Sequence, residues 1–592
     1  YQHGVRDNAG FKLDASHQTV ASMLRGAGYT TGAFVGAFPL DARFGLNQGF
    51  DTYDDNYGKG AASLDFVVQE RPASAVLDAA THWWRSNEGK RRFMWVHLYD
   101  PHAPYQPPEP FASQYRDDEY LGEIAYVDDC LGKQLAPLLN DDTLLIVTAD
   151  HGEARGDHGE LTHGLFAYEA TLHIPLVMWR KSAIKHRVDD RYVRHIDIAP
   201  TILEAAGVTK PPVLLGERLT ANGEHADSYF EALSTNINRG WAPLTGVIHN
   251  REKYIDLPVA ELYDLPHDPR EVNNLRADRR RDVDEARRIL ASMHGDVNTK
   301  RNVSSEEAAK LRSLGYLSGG GGPQKTSYSA ADDPKNLVAL DKKMHDVIAA
   351  YEAHDNAKAV QLAKEVVAER PQMAGGRELL AFVLQQSERV PDAIANLRAA
   401  IRTGGETQSM RVQLGLMLTE QGNTQEAVQV LAPLASSNDP DALNAYGIAL
   451  ADEGNLDAAT QQFQHVLQSD ANNAPAYQNL GIVALRRRDV AGAQQYLNRA
   501  LELNPRLPLA LNTLGVVFAQ QGDYARAVDA WNRAVAVDPR QYDALFNIGL
   551  VEGRAGHREE ARKALAQFVA TAPAARYAAD IATARQALQS LQ

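Results

Sequence analysis

The chain has 592 residues, enough at about 100–200 residues per domain for several domain-sized units with buried cores. With 44% hydrophobic and 23% charged residues, it excludes disordered, collagen-like and coiled-coil architectures, and no apolar run approaches the ~18 residues that a membrane helix needs. The 61 Lys+Arg against 76 Asp+Glu leave a net charge of −15, which argues against nucleic acid as the main partner because phosphate binding needs a concentrated positive field; the clusters Arg279–Arg281 and Arg486–Arg488 read as solvated faces.

Tyr1 to Val5 carries neither a starting methionine nor a signal-peptide pattern and reads as the middle of something, so the natural N-terminus is expected to lie further upstream. Residues 1–317 then alternate apolar runs with amphipathic stretches. The runs are Thr31–Ala37, Phe93–Leu98, Leu144–Val147 and Leu176–Trp179; the stretches include Thr19–Ala27 and Ala73–Arg85. This pattern predicts an α/β domain with a mostly parallel sheet and helices on both faces, whose ligand site lies beyond the carboxyl ends of the strands. The single cysteine, Cys130, excludes an intrachain disulfide and a thiolate zinc site. It falls in the helical-looking stretch Ile124–Leu139 and reads as a packed residue.

Two of the apolar runs end in polar clusters. In FMWVHLYDPHAPYQPPEPF (93–111), His97, Asp100 and His102 are fixed by Pro101, Pro104, Pro107 and Pro108. Proline stiffens the loop as a pre-organised site requires, and an imidazole there could protonate a leaving group or simply be satisfied within the turn. In TLLIVTADHGEARGDHGELTHG (143–164), Asp150 and His151 stand at the strand's end. A carboxylate beside an imidazole offers a divalent cation two ligands, although Asp150 could instead cap a helix and His158 could be an ordinary loop residue. Gly152, Gly156, Gly159 and Gly164 let the loop turn back, so that His163 could reach the same centre.

The stretch SGGGGPQKTSYSAA (318–331) marks a flexible linker, taken as 318–333. Beyond it, Gly447, Gly481, Gly515 and Gly549 recur every 34 residues, each followed 12 residues later by Ala459, Ala493, Ala527 or Ala561, and Ala359, Ala393 and Ala427 extend the series to seven units. Small residues allow two helices to cross closely, Phe463, Leu497, Trp531 and Leu565 fill the space between neighbouring hairpins, and Pro505, Pro539 and Pro573 end successive units. Residues 334–592 resemble an all-α tetratricopeptide-repeat superhelix of about seven repeats. The resemblance implies a peptide or protein partner in the repeat groove.

The two loop motifs, with HGVRDN (3–8), FGLNQGFDTYDD (44–55), RHIDIAPTILEAAG (194–207), ELYDLPHDPREVNNL (261–275) and LRSLGYLSGG (311–320) in order, resemble the sulfatase family of the alkaline phosphatase superfamily. The resemblance spans residues 1–317. It implies that Asp150 and His151 are metal ligands for one divalent ion (calcium, manganese or zinc). It also implies that His102 contacts the ester and protonates the departing oxygen, and that His163 stabilises non-bridging oxygens. His97 reads as satisfied in its turn or as support; His195 and Asp197 support the site from behind or merely pack. The family's nucleophile motif, Cys-x-Pro-Ser-Arg or a Thr/Ser-x-Pro-Ser-His relative, and its first acidic ligands are absent from these residues, so the chain is expected to lack its N-terminal portion and to be inactive as it stands. The implied activity is sulfuric ester hydrolysis on a sulfated small molecule, glycan or lipid; the alternatives are phosphate or phosphonate ester hydrolysis, phosphoryl transfer, or a non-catalytic repeat scaffold. Relatives are commonly exported or anchored, which favours the cell envelope or periplasm.

Overall fold

The computed structural model describes residues 3–7, 11–57, 70–221, 227–293, 325–437 and 439–591. The tail motif 311–320 and the first part of the expected linker lie outside them. The chain forms two compact units, Tyr1–Arg389 and Val390–Gln592.

In the first unit, Thr19 caps the helix Val20–Gly26 by accepting from the Ser22 amide, and the chain then enters β1 (Thr30–Phe34). This strand lies between β2 (Thr52–Asp54) and β3 (Arg92–Val96), parallel to both, with Gly32 opposite Thr52 and Met94. The helix Ala73–Ser86 turns Val76, Ala80 and Trp83 onto Phe34, Met94 and Val96. Gly32 is what admits the indole: a Cβ there would stand 2.8 Å from Trp83, inside van der Waals contact.

All four apolar runs contain strands, the last two being β4 (Leu145–Thr148) and β5 (Leu176–Trp179). These two pair antiparallel, with Thr148 opposite Leu176. An apolar run carries no direction, and only pairing sets it. The parallel part of the architecture is thus the β2-β1-β3 sheet. A further antiparallel sheet follows in the order β6 (Asp227–Ala232), β7 (Leu244–His249), β8 (Glu252–Asp256) and β9 (Glu261–Asp264). Val283, Ala286 and Leu290 of the helix Arg280–Ser292 cover Val247, Tyr254 and Leu262. Polar residues interrupt these short strands, so no apolar run announced them. Cys130 is buried beside Leu77 and Tyr126, as a packed residue should be. The arginine clusters make surface pairs: Arg279 with Glu252 and Asp282, Arg486 with Asp452, and Arg487 with Asp457.

The second unit is all helical. Its hairpins include Pro440–Glu453 with Leu456–Ser469, Ala474–Arg486 with Val490–Leu503, Pro508–Gln520 with Tyr524–Val537, and Tyr542–Ala555 with Arg558–Thr571. The periodic glycines mark the helix crossings. Cβ atoms at Gly447, Gly481, Gly515 and Gly549 would stand 2.5, 2.7, 2.4 and 2.4 Å from Phe463, Leu497, Trp531 and Leu565. Each large residue therefore packs first inside its own hairpin. Phe463 also joins Leu480 and Val483 of the next one, as expected of residues that fill the space between neighbouring hairpins. Among the described residues, no helix is long and apolar enough to cross a membrane.

Candidate functional site

The site forms where β3 and β4 run out into loops. After β3, the turn is held from outside. Asp100 accepts from the Ala73 amide at 2.9 Å. Glu123, on the inward face of the helix Glu119–Cys130, accepts from the amides of His102 at 3.1 Å and Gln106 at 2.7 Å. His102 lies flat on Tyr99, ring centroids 4.3 Å apart, and its Nδ1 is 2.7 Å from the Ala103 carbonyl. That contact makes Nδ1 the protonated nitrogen of the neutral ring. Burial, and next the neighbouring His163, push His102 down to about 4, so it is neutral at neutral pH.

After β4, Ala149 accepts from His195 Nε2 at 2.8 Å, which steadies the turn into Asp150 and His151. Gly152 permits the next step, because a Cβ there would meet the Ala170 carbonyl oxygen at 2.4 Å. The loop then folds back on itself: the Ala154 amide donates to Thr162 and the Gly156 amide to Glu160, and Gly156, Gly159 and Gly164 take positive φ. The return brings His163 beside His151, ring centroids 4.2 Å apart, and 5.2 Å from His102. His151 Nε2 is 3.6 Å from Asp150 Oδ2. Exposure falls across the cluster: the side chain of Asp150 is 78% exposed, that of His151 39% and that of His163 13%.

Other expected residues lie around this cluster. His97 contacts the Gly36 amide through Nδ1 at 3.4 Å, and burial lowers its pKa while Asp150 raises it. Asp197 is fully buried and serves the backbone, accepting from the amides of Arg194 and Glu217 and pairing with the Arg194 guanidinium at 3.0 Å. His158 stacks on Tyr168 at 3.6 Å and its Nε2 is 3.1 Å from the Glu271 carbonyl, so it fastens the loop.

Two acidic residues were not anticipated. Both oxygens of Glu153 are 3.3 Å from His163 Nδ1, and its side chain is 5% exposed. Glu123 locks the proline loop; burial pushes its carboxyl up to about 7. Its signal was a glutamate on the face marked by Gly122, Tyr126 and Cys130. Glu123→Ala should strand two amide donors, at about 1–3 kcal/mol, and speed hydrogen exchange at His102 and Gln106 while β1 exchanges as before.

Glu160 gives a pH signature. It is buried, its Oε1 accepts from the amides of Leu165 (2.6 Å) and Phe166 (3.3 Å), and burial, with Asp341 and Glu153 nearby, pushes it up to about 8. The folded state thus holds a proton that the unfolded chain releases near 4.3. Its contribution is complete below that value and is lost as pH rises through about 8. The melting temperature of the protein should therefore fall from about pH 6 to about pH 9 relative to Glu160→Gln, which keeps the acceptor and cannot ionise.

For the implied ion, Asp150 and His151 are suitable donors. Among the described residues, however, no group of three or more His, Cys, Asp or Glu is placed to hold a metal. The pair fits part of a coordination shell and does not complete one.

The Sulfatase profile matches residues 1–208, the profile for the C-terminal part of N-sulphoglucosamine sulphohydrolase matches 156–302, and tetratricopeptide-repeat profiles match within 379–575. The chain is 29% identical over 259 residues to an uncharacterized sulfatase, YidJ, of Escherichia coli, covering 36% of this chain and 51% of the relative. It is 30% identical over 180 residues to an N-acetylglucosamine-6-O-sulfatase of Bacteroides thetaiotaomicron, covering 27% and 32%. It is 32% identical over 186 residues to PehA, a multifunctional alkaline phosphatase superfamily protein of Trinickia caryophylli, covering 27% and 36%. The chain spans about half the length, or less, of these relatives. Among solved structures, a tetratricopeptide-repeat protein of Parabacteroides merdae is 14% identical with a TM-score of 0.36, covering 43% of this chain and 98% of that one. A protein in complex with its substrate D-glucosamine-2-N,6-O-disulfate is 20% identical with a TM-score of 0.39, covering 49% and 84%. The N-terminal half of the chain belongs to the sulfatase family of the alkaline phosphatase superfamily, and a tetratricopeptide-repeat region follows it.

Proposed function

We propose that the first unit is the hydrolase part of a sulfuric ester hydrolase and that the repeats recruit a peptide or protein partner. The observation that carries this reading is the meeting of His102, His151 and His163, beside Asp150, at the carboxyl ends of two strands. Such a crevice suits an anionic ester. His102 is neutral when the site is empty, with Nδ1 committed to the Ala103 carbonyl. A sulfate group set against it raises the proton affinity of Nε2, so that the ring takes up a proton from solvent on substrate binding; the imidazolium gives that Nε2 proton to the departing oxygen and returns to the neutral ring. His163, with Nδ1–H turned to Glu153, is placed to donate from Nε2 to a non-bridging oxygen as the doubly protonated ring. A divalent cation, whether calcium, manganese or zinc, supplies charge neutralisation when bound, and Asp150 and His151 are two of its ligands.

The 592 residues contain no Cys-x-Pro-Ser-Arg or Thr/Ser-x-Pro-Ser-His nucleophile motif, so this chain alone should turn over no ester; metal-dependent turnover by it would overturn that part of the reading. The hydrolase assignment is tested with the protein expressed from its natural start codon, on p-nitrophenyl sulfate and p-nitrophenyl phosphate. Sulfate turnover that drops roughly a hundredfold or more in His102→Ala and His163→Ala supports it. Turnover of phosphate alone replaces it with phosphoryl chemistry, and turnover of neither by a folded protein leaves the scaffold reading.

A further inference from the structure

The loop that delivers His163 is supported by residues from beyond the sulfatase-like sequence. Lys335 and the helix Val338–Glu352, which opens the repeat region, pack within the first unit. A Cβ on Gly159 would stand 3.0 Å from Val338 Cγ1, and Gly159 sits at the tip of the returning loop. A second route starts at Lys335, whose Nζ is 3.5 Å from Glu261 Oε1. Glu261 Oε2 accepts from the Tyr168 hydroxyl at 2.9 Å, and the Tyr168 ring is the one on which His158 stacks. The helix is itself keyed to the antiparallel-sheet region. Asp341 pairs with Arg239, Asp333 Oδ2 accepts from the Val259 amide at 2.9 Å, and the Ala242 amide donates to the Asp332 carbonyl at 2.9 Å.

We propose that Val338 and Lys335 are positioning residues for the loop 154–166, so that the start of the repeat region sets the placement of His163. The returning loop carries three glycines, Gly156, Gly159 and Gly164, all at positive φ; glycine has little conformational preference of its own, so a wall at the tip narrows the freedom that the loop's two cross-bonds leave. Val338 is that wall, and the Lys335–Glu261–Tyr168 chain holds the stacked His158 below it. A load on the first repeat helix is then felt at the imidazole cluster. The inference goes beyond the hydrolase reading and concerns only which residues hold the loop.

The test is hydrogen exchange on the full 592-residue chain, which needs no turnover and so stands or falls separately from the proposed chemistry. In Val338→Ala combined with Lys335→Met, peptides covering 154–166 should exchange roughly tenfold faster. Peptides covering 20–34 and 524–571 should be unchanged, and Val338→Ile should keep wild-type exchange at 154–166. Unchanged exchange at 154–166 with faster exchange at 338–352 would overturn the proposal. Should the double variant not fold, Val338→Ala alone is read by the same criterion with a smaller increase expected.

Discussion

Replacing Lys253 with alanine should lower the stability of the first unit by about 3–5 kcal/mol, read as an early transition in calorimetry. The ammonium is fully buried, 2.8 Å from Glu271 Oε1 and 3.2 Å from Glu169 Oε1, with the Phe230 ring 5.4 Å away. The two carboxylates belong to different segments. Glu169 begins the short helix after the site loop, and its amide donates to Glu271 Oε2 at 2.5 Å. Glu271 has φ +54°, a left-handed conformation unusual for a non-glycine residue, and its carbonyl faces His158. Burial raises the Glu271 carboxyl and Lys253 counters it. Removing the cation leaves the buried Glu271 and the partly buried Glu169 without compensation, whereas replacing all three groups by neutral ones does not. The variant Lys253→Met with Glu169→Gln and Glu271→Gln should therefore recover most of the loss. If Lys253→Ala melts with the wild type, the buried triad contributes little to stability.

Trp531→Ala should cost about 3–5 kcal/mol, confined to its neighbourhood. The side chain is 2% exposed and lies on Gly515, and its Nε1 donates to the Asn512 carbonyl at 3.0 Å. Truncation opens a cavity that the helix backbone at Gly515 cannot collapse to fill. Repeat arrays depend on nearest-neighbour contacts, so exchange should rise over 508–555 and stay near wild type over 440–469. A uniform rise across the second unit would show instead that these repeats unfold as one block.

Several features were legible because they are local. The repeats declare themselves by a 34-residue step in glycine and alanine, since each hairpin meets the same steric demand at its crossing. Strands β1, β3, β4 and β5 appear as apolar runs, and the polar clusters at the ends of β3 and β4 point to the crevice. The motifs 93–111 and 143–164 name His102, Asp150, His151 and His163 without any coordinates, because a strand end followed by proline or glycine is written in consecutive residues.

What the tertiary structure alone decided is partner choice across long stretches of chain. That β5 runs antiparallel to β4, that Glu123 seizes the amides of His102 and Gln106, and that Glu153 lies against His163 could not be read from residue types, since any of those carboxylates could equally have faced solvent. Lys253 is an extreme case: a lysine in a short strand reads as exposed, and only two glutamates brought from 84 positions upstream and from a later turn make its burial tolerable. The attachment of Val338 to Gly159 is of the same kind. Sequence specifies what each residue can offer within a few positions, and packing selects, among many chemically equivalent offers, the ones that meet.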